Sequence, residues 1–284
     1  MNIFNICGVN IFLFLIFSLI FDQTYKVCTK NSKSDGALTV ILEFLAGVFI
    51  LLLIPFFEIK FSTDIKIYIL WGISIIFFAI TDRINTTVRR GVEASTFNIL
   101  RQISTVFILI AGILIFKEEV VFKKIIGAIL IIFSNILIFY EKDVFKNNKF
   151  VLLGIIANIT YTVAILLEID LANYFNLPMF IGINLMVPAI LIYIFNRVKI
   201  KDIKEEFSCH NKGLLCINSL TWGLSIFAQI RAYNLGNMTI VAPLCATAVI
   251  LNVIAGYLFL KERDNLLKKI IAGAIIVFSV FLIK

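Results

Sequence analysis

The sequence predicts an all-α polytopic membrane protein in which ten transmembrane helices form two inverted five-helix repeats. Composition is the first reason, because hydrophobic residues occupy 61% of the 284 positions and charged residues only 15%. A soluble domain is about 45–50% apolar and about 25% charged, so this chain needs a bilayer around it. Length is the second reason, because the apolar segments run roughly 18–23 residues, enough to cross the hydrocarbon as helices. An internal duplication is the third.

The first repeat, residues 1–145, contains five predicted helices. The N-terminal apolar run has no basic region before it, so we expect a retained helix and not a cleaved signal peptide. Four further apolar runs follow, separated by short polar turns. The predicted helices cover about residues 6–29, 37–57, 66–84, 92–115 and 122–140, and the charged segment Glu141–Lys149 spans the boundary between the repeats.

The second repeat, residues 146–284, has the same organisation. Its five helices are predicted at about residues 150–171, 176–196, 213–234, 238–260 and 267–283. The longest polar stretch of the chain, Arg197–Lys212, separates the second of these helices from the third and is predicted to be a loop.

Three short segments of the first half recur in the same order in the second half, which indicates a duplication. The matched pairs are the Trp-Gly segments at 71–75 and 222–226, the segments ending in Lys-Glu at 111–118 and 255–262, and the Lys-Lys-Ile-Ile segments at 123–126 and 268–271. Because each repeat has an odd number of crossings, the second must enter the membrane in the opposite sense. Inverted repeats are typical of secondary transporters, whose substrate site lies near mid-membrane at the repeat interface.

At these positions the sequence resembles the drug/metabolite transporter superfamily, in its ten-helix branch built from two EamA domains. The resemblance covers nearly the whole chain and implies a small-molecule permease, often an exporter of metabolites or amino-acid-like compounds. The sequence departs from the family pattern at Glu43, where the second helix often carries a basic residue. The resembling segments are Phe116–Glu118 and Leu260–Glu262, Gly127 and Gly273, and Asn98–Ser104 and Val241–Leu244.

Among the charged residues that fall inside predicted helices of the first repeat, Asp22, Glu43 and Arg101 are predicted to lie about 9–14 Å from one membrane face. A charge in the hydrocarbon costs about 2.5–3.5 kcal/mol on insertion scales, so it usually faces a cavity or a partner. We predict that Arg101 pairs with Glu43 or Asp22 and that this cluster, with the flanking Asn98 and Gln102, contributes to a polar cavity. The alternative is a local pair between Asp22 and Lys26, four residues apart on one helix, with Glu43 snorkelling to the interface.

The polar groups of the second repeat lie toward the opposite membrane face, as inversion predicts. Glu168 and Asp170 are close to a helix end and are expected to be solvated boundary charges. Trp71 and Trp222 either flank the substrate path or, as we favour, anchor their helices at the membrane interface. The remaining candidates for contact with a solute or a coupling ion are Asn184, Gln229 and Arg231.

No catalytic group, metal site or cofactor site is predicted. The five cysteines are scattered without metal-ligand spacing, and the only histidine, His210, falls in a polar loop. The formal charge of +8 does not indicate nucleic-acid binding, because the basic residues sit in short loops between helices. The chain carries no phosphate-binding Gly-rich loop, which argues against an ATP-driven pump.

The expected function is secondary transport of a small organic metabolite by alternating access at a cell membrane, plasma or inner. Export is favoured over import, and transport is either coupled to protons through Asp22 or Glu43 or uncoupled. A membrane-embedded enzyme and an accessory membrane subunit are the competing classes. The expected partners are the solute and the lipid bilayer, and duplication makes a functional monomer sufficient without excluding a dimer. Loop charges place both termini outside the cell, whereas the resemblance implies both inside, so orientation stays open.

Overall fold

The computed structural model describes residues 3–115, 117, 122–139, 149–261 and 266–283, and these are mostly α-helical without any strand. Eight helical segments of the described chain are long and apolar enough to cross a membrane. The protein is therefore an all-helical chain that fits a multi-pass membrane protein. Two further helices of 18 residues each, the predicted fifth and tenth crossings, end the two halves.

Thirteen α-helices occur in the described residues, and we number them in chain order. They are α1 Ile3–Asn31, α2 Asp35–Leu51, α3 Ile65–Gly91, α4 Ala94–Leu100, α5 Gln102–Leu114, α6 Phe122–Phe139, α7 Lys149–Leu171, α8 Leu177–Phe195, α9 Ile200–Cys209, α10 Lys212–Leu235, α11 Met238–Ala246, α12 Ala248–Phe259 and α13 Leu266–Ile283. Two short 3-10 segments, Ile54–Phe56 and Ala172–Tyr174, follow α2 and α7.

Side-chain caps determine where several of these helices begin. Ser34 accepts a hydrogen bond from Ala37 N at the start of α2, and Asn176 accepts one from Met179 N at the start of α8. Asp64 and Asn211 cap α3 and α10 in the same way. Short polar side chains are suited to this position because they accept bonds from backbone N–H groups that have no partner within the helix.

Helix α3 is longer than the sequence predicted, because it continues through the polar segment 85–91 to Gly91. The prediction ended this helix near residue 84, where polar side chains replace the apolar run. Those side chains are satisfied inside the protein: the Thr86 hydroxyl lies 2.6 Å from the Tyr25 hydroxyl and 2.5 Å from the Thr39 hydroxyl. Helix α3 therefore brings a polar turn into the space between α1 and α2.

The fourth and ninth predicted crossings are each divided into two helices, although the sequence predicted continuous ones. Arg101 separates α4 from α5, and Thr247 separates α11 from α12. Pro243 lies inside α11, four residues before the second break, and proline removes a backbone donor and disturbs the preceding turn. At the first break the amide of Ser104 bonds to the Arg101 carbonyl, three residues back, in place of the four-residue spacing of an α-helix.

The most extensive helix pairings join α1 with α10, α3 with α7, α2 with α8, and α6 with α13. Helices α2 and α8 meet at two glycines. A Cβ atom added at Gly47 would lie 2.8 Å from the Gly182 carbonyl oxygen, and one added at Gly182 would lie 3.2 Å from the Gly47 oxygen. The two backbones are therefore in direct contact, as small residues permit between membrane helices.

The polar stretch predicted as a loop contains the additional helix α9. Its Glu206 is fully buried, and Oε2 accepts bonds from the backbone N–H groups of Lys33 and Ser34 at 3.0 and 3.1 Å. Oε1 lies 2.8 Å from Nε2 of His210, which is buried and not in an open loop as predicted. This cluster fixes the turn between α1 and α2 against α9.

Candidate functional site

A buried ion pair lies between the first and third membrane helices. Arg89 Nη2 lies 2.6 Å from Asp22 Oδ1, and the side chains are only 4% and 1% exposed. The other Asp22 oxygen accepts a bond from Asn252 Nδ2 at 3.2 Å. The guanidinium also stacks 3.9 Å from the ring centroid of Phe97, so part of its charge is stabilised by an aromatic face.

The predicted partners of Asp22 are wrong in the structure. Asp22 pairs with Arg89, whereas Arg101 makes no ion pair with any acidic residue that the structure describes. Lys26 donates to the backbone carbonyls of Arg89 and Val92 at the end of α3. The prediction missed Arg89 because it ended the third helix several residues earlier and so assigned this residue to a surface turn.

Two small cavities with polar walls adjoin this ion pair among the described residues, with volumes of about 50 Å³ and about 30 Å³. Arg101, Tyr161 and Gln229 line both cavities, so these three side chains form the boundary between them. The Tyr161 hydroxyl donates to Gln229 Oε1 at 3.1 Å, and the Arg101 guanidinium lies 5.7 Å from the Tyr161 ring centroid. The walls come from α1, α3, α7 and α10 and from both divided helices, so the cavities lie among the helices that are long and apolar enough to cross a membrane.

Six of the ten predicted site residues line these cavities. Trp222 lines the larger cavity, where its ring stacks at 5.2 Å on Phe21. The expectation that Trp222 anchors its helix at the membrane interface is therefore wrong. The six are Asp22, Asn98, Arg101, Gln102, Trp222 and Gln229.

Asp82, Arg89 and Tyr161 are among the cavity residues that sequence reasoning missed. Asp82 and Arg89 lie seven residues apart on α3, a spacing that puts both on one face of a helix. That spacing was a usable signal, but the prediction placed the helix end between the two residues. Tyr161 gave no comparable signal, since it lies within an apolar run.

Four predicted site residues, Glu43, Trp71, Asn184 and Arg231, line neither cavity. Trp71 is buried and donates its indole N–H to Asn184, and Asn184 in turn donates to Glu168. The expectations of an interface anchor at Trp71 and of a solvated Glu168 are therefore wrong, because both side chains form hydrogen bonds with Asn184 inside the helix bundle. Asp170 is exposed, as predicted.

Arg231 lies apart from this chain of contacts. Its guanidinium is 5.6 Å from the ring centroid of Phe57, which follows the 3-10 segment after α2. Arg231 therefore lies beside the segment that follows α2 and lines neither cavity.

Glu43 is completely buried and does not snorkel to the interface. Neither of its carboxyl oxygens has a hydrogen-bond donor among the described residues. Its carboxyl group is within hydrogen-bonding reach of the Asp82 carboxyl, which faces the larger cavity. The two acidic side chains therefore form a pair behind the cavity wall.

Among the described residues, one further cluster has metal-ligating residue types. Atoms of Glu206, Cys209 and His210 lie within 4.8 Å of one another. Both Glu206 oxygens are already engaged, by two backbone N–H groups and by His210. We interpret the cluster as a structural contact between α9 and the turn that joins α1 to α2. It lines neither cavity.

Comparison with known proteins shows the fold only. A crystal structure of another protein superposes on this chain with a TM-score of 0.69, over 97% of this chain and 95% of that one, at 11% sequence identity. No family model matches the chain, and no curated protein matches it in sequence. The resemblance to the drug/metabolite transporters therefore stays a prediction, whereas the overall helix arrangement is shared with a solved protein.

Proposed function

We propose that the protein is a secondary transporter that moves a small organic solute through the membrane by alternating access. The observation that carries this proposal is the polar cavity lined by Arg101, a cationic residue with no acidic partner in the described chain. An unpaired cation among membrane-spanning helices is expensive and is retained at sites that bind or conduct a ligand. A solute with an anionic group would supply the partner that Arg101 lacks.

A layout of ten crossings in two inverted repeats is part of the proposal. Exchanging each crossing with the one five later turns the α1–α10 pairing into the α7–α3 pairing, and leaves the α2–α8 and α6–α13 pairings unchanged. The fourth crossing of each half is divided, at Arg101 and at Thr247. Lys117 and Lys261, matched by the sequence repeat, both have left-handed backbone angles, with φ of 54° and 56°. The glutamates that follow them in the sequence, Glu118 and Glu262, lie outside the described residues.

Alternating access follows from this arrangement in physical terms. Two halves with equivalent packing can exchange conformations, so that the cavity opens first to one face and then to the other. The cavity walls come from both halves, because Arg101 and Asp82 belong to the first and Tyr161 and Gln229 to the second. The solute would therefore lie between the parts that move.

The test compares metabolites inside cells and in the medium for a deletion strain, a strain expressing the protein and a strain expressing Arg101→Gln. Export predicts a compound that accumulates inside the deletion strain and outside the expressing strain, with this pattern lost in Arg101→Gln. Arg90→Gln is the matched control, because Arg90 is 43% exposed and pairs with Asp35 away from the cavities. The reverse distribution would indicate import.

A lipid species that changes while no solute moves would refute the transporter proposal and favour a membrane-embedded enzyme. If no compound of any kind changes between the strains, an accessory subunit becomes the better explanation. Equal activity of Arg101→Gln and the wild-type protein would refute the role of Arg101 in solute binding.

A further inference from the structure

The buried pair of Glu43 and Asp82 is not explained by solute binding alone. Glu43 lies on α2 with no exposed surface, and no cation of the described chain forms an ion pair with it. Both of its oxygens lack a hydrogen-bond donor from the described protein. The neighbouring polar group is the Asp82 carboxyl on α3, which is within hydrogen-bonding reach.

Two ionised carboxyl groups cannot form a hydrogen bond with each other, because each is then an acceptor only. Two adjacent negative charges in a buried site also repel each other strongly. The contact between Glu43 and Asp82 therefore requires at least one proton, held by one oxygen and shared with the other. Such a carboxyl pair titrates as a unit, and its protons belong to the pair.

The two members of the pair have different surroundings. Asp82 lines the larger cavity together with Arg89 and Arg101, so it faces two guanidinium groups. Glu43 has Tyr25 of α1 as its other titratable neighbour, and Glu168 of α7 acts electrostatically on Asp82. The pair thus has an open, cation-facing side at Asp82 and a closed, uncharged side at Glu43.

The other helices that contact α2 carry their described charges elsewhere. Glu206 and His210 of α9 lie at the first turn of α2, about 13 Å along the helix from Glu43. Arg231 of α10 lies beside Phe57, beyond the opposite end of α2. Helix α8 contributes the neutral Asn184, which bonds to Trp71 and Glu168. None of these groups supplies Glu43 with a counter-charge.

We propose that Glu43 and Asp82 form a proton-binding site whose occupancy is linked to solute binding in the cavity. The link to transport rests on the proposed function, whereas proton binding itself does not. Each added proton removes a negative charge from the wall opposite Arg101, so it favours binding of an anionic group there. Linkage makes the effect reciprocal, so the bound anion also favours the protonated pair. Proton and solute then bind cooperatively.

The test measures the carbonyl stretch of protonated carboxyl groups by infrared difference spectroscopy, with the purified protein in lipid vesicles and no solute added. The wild-type protein is expected to show a band that shifts in deuterium oxide and changes with pH. Glu43→Gln is expected to lose this band, because the remaining Asp82 faces two guanidinium groups. Asp82→Asn is expected to keep a band that no longer responds to pH, because Glu43 then has no charged neighbour in contact.

Asp170→Asn is the control, since Asp170 is an exposed carboxylate on α7 and its replacement leaves the band unchanged. Circular dichroism and size-exclusion profiles like those of the wild-type protein establish that each variant folds. Identical carboxyl bands in the wild-type protein and in both folded pair variants would overturn the proposal. A lost band with no transported metabolite would retain the proton site and reject the transporter, so the two proposals fail separately.

Discussion

The ion pair between Arg89 and Asp22 gives the sharpest prediction about stability. Replacing Arg89 by Gln leaves Asp22 with a side chain 1% exposed and no ion-pair partner. Removing one member of a buried ion pair typically costs about 3–5 kcal/mol, because the remaining charge is neither solvated nor paired. The variant also loses the stacking of the guanidinium on Phe97, 3.9 Å away, which adds to the cost.

The measurement is the free energy of unfolding in mixed detergent micelles, followed by the loss of helical circular dichroism. Asp22→Asn is expected to destabilise the protein comparably, because it leaves the Arg89 charge buried. The double variant is expected to be less destabilised than the sum of the single variants, by about 0.5–3 kcal/mol, since the two changes remove the same interaction.

The neighbouring residue Arg90 is the matched control. It also pairs with an aspartate, Asp35, at 2.9 Å, but its side chain is 43% exposed. Exposed pairs contribute about 0–1 kcal/mol, so Arg90→Gln is expected to change stability little. If Arg89→Gln and Arg90→Gln destabilised the protein equally, the inference that Arg89 is paired inside the protein would be refuted.

Two further predictions concern packing and the α9 cluster. Gly47→Ala is expected to cost about 1–3 kcal/mol of stability by overpacking, because its Cβ would lie 2.8 Å from a backbone oxygen of α8. Gly72→Ala is expected to be neutral or stabilising, because a Cβ at this position would have no atom within 4 Å. Thermal unfolding of both variants tests this, and equal effects would contradict it. Glu206→Ala is expected to cost about 1–3 kcal/mol, because it removes the acceptor of two backbone N–H groups and the partner of the buried His210. Glu205→Ala, at an exposed position, is expected to change the free energy of unfolding by no more than about 0.5 kcal/mol. A similar loss of stability in both variants would contradict the inference that the Glu206 cluster stabilises the fold.

The helical membrane class and most helix positions could be predicted from the sequence, because long apolar runs have few alternatives to a spanning helix. The end of α3 could not. The segment 85–91 is polar by composition, and only its contacts with Tyr25, Thr39 and Asp22 make it part of a buried helix. Those contacts join residues more than 45 positions apart, so a local pattern does not contain them.

The same reason explains which site residues were identified. Arg101, Asn98 and Gln102 interrupt an apolar run, and that interruption correctly marked a cavity wall. The partner of Asp22 depended on where another helix ends, so the sequence favoured Arg101 over Arg89. Glu43 was correctly marked as unusual, but its neighbour Asp82 was placed at a helix end.

The energetics of the interior argue that the buried ion pair contributes little to net stability. A buried ion pair can often be replaced by uncharged residues of similar size at little cost, or with a gain in stability. The pair of Asp22 and Arg89 is therefore a poor choice for holding α1 against α3, where Phe21, Tyr25 and Phe97 already surround the guanidinium. A chain selected for stability alone would lose both charges together.

Stability and transport are consequently expected to separate in the double variant Asp22→Asn with Arg89→Gln. It keeps side chains of similar size and leaves neither Asp22 nor Arg89 as an unpaired buried charge, so it is expected to fold. It removes one of the two cations that line the larger cavity with Asp82, so solute movement is expected to fall even though the helices stay assembled. Full transport by this folded double variant would show that the ion pair is only a packing feature. The solute would then have to be held by Arg101 and the side chains around it.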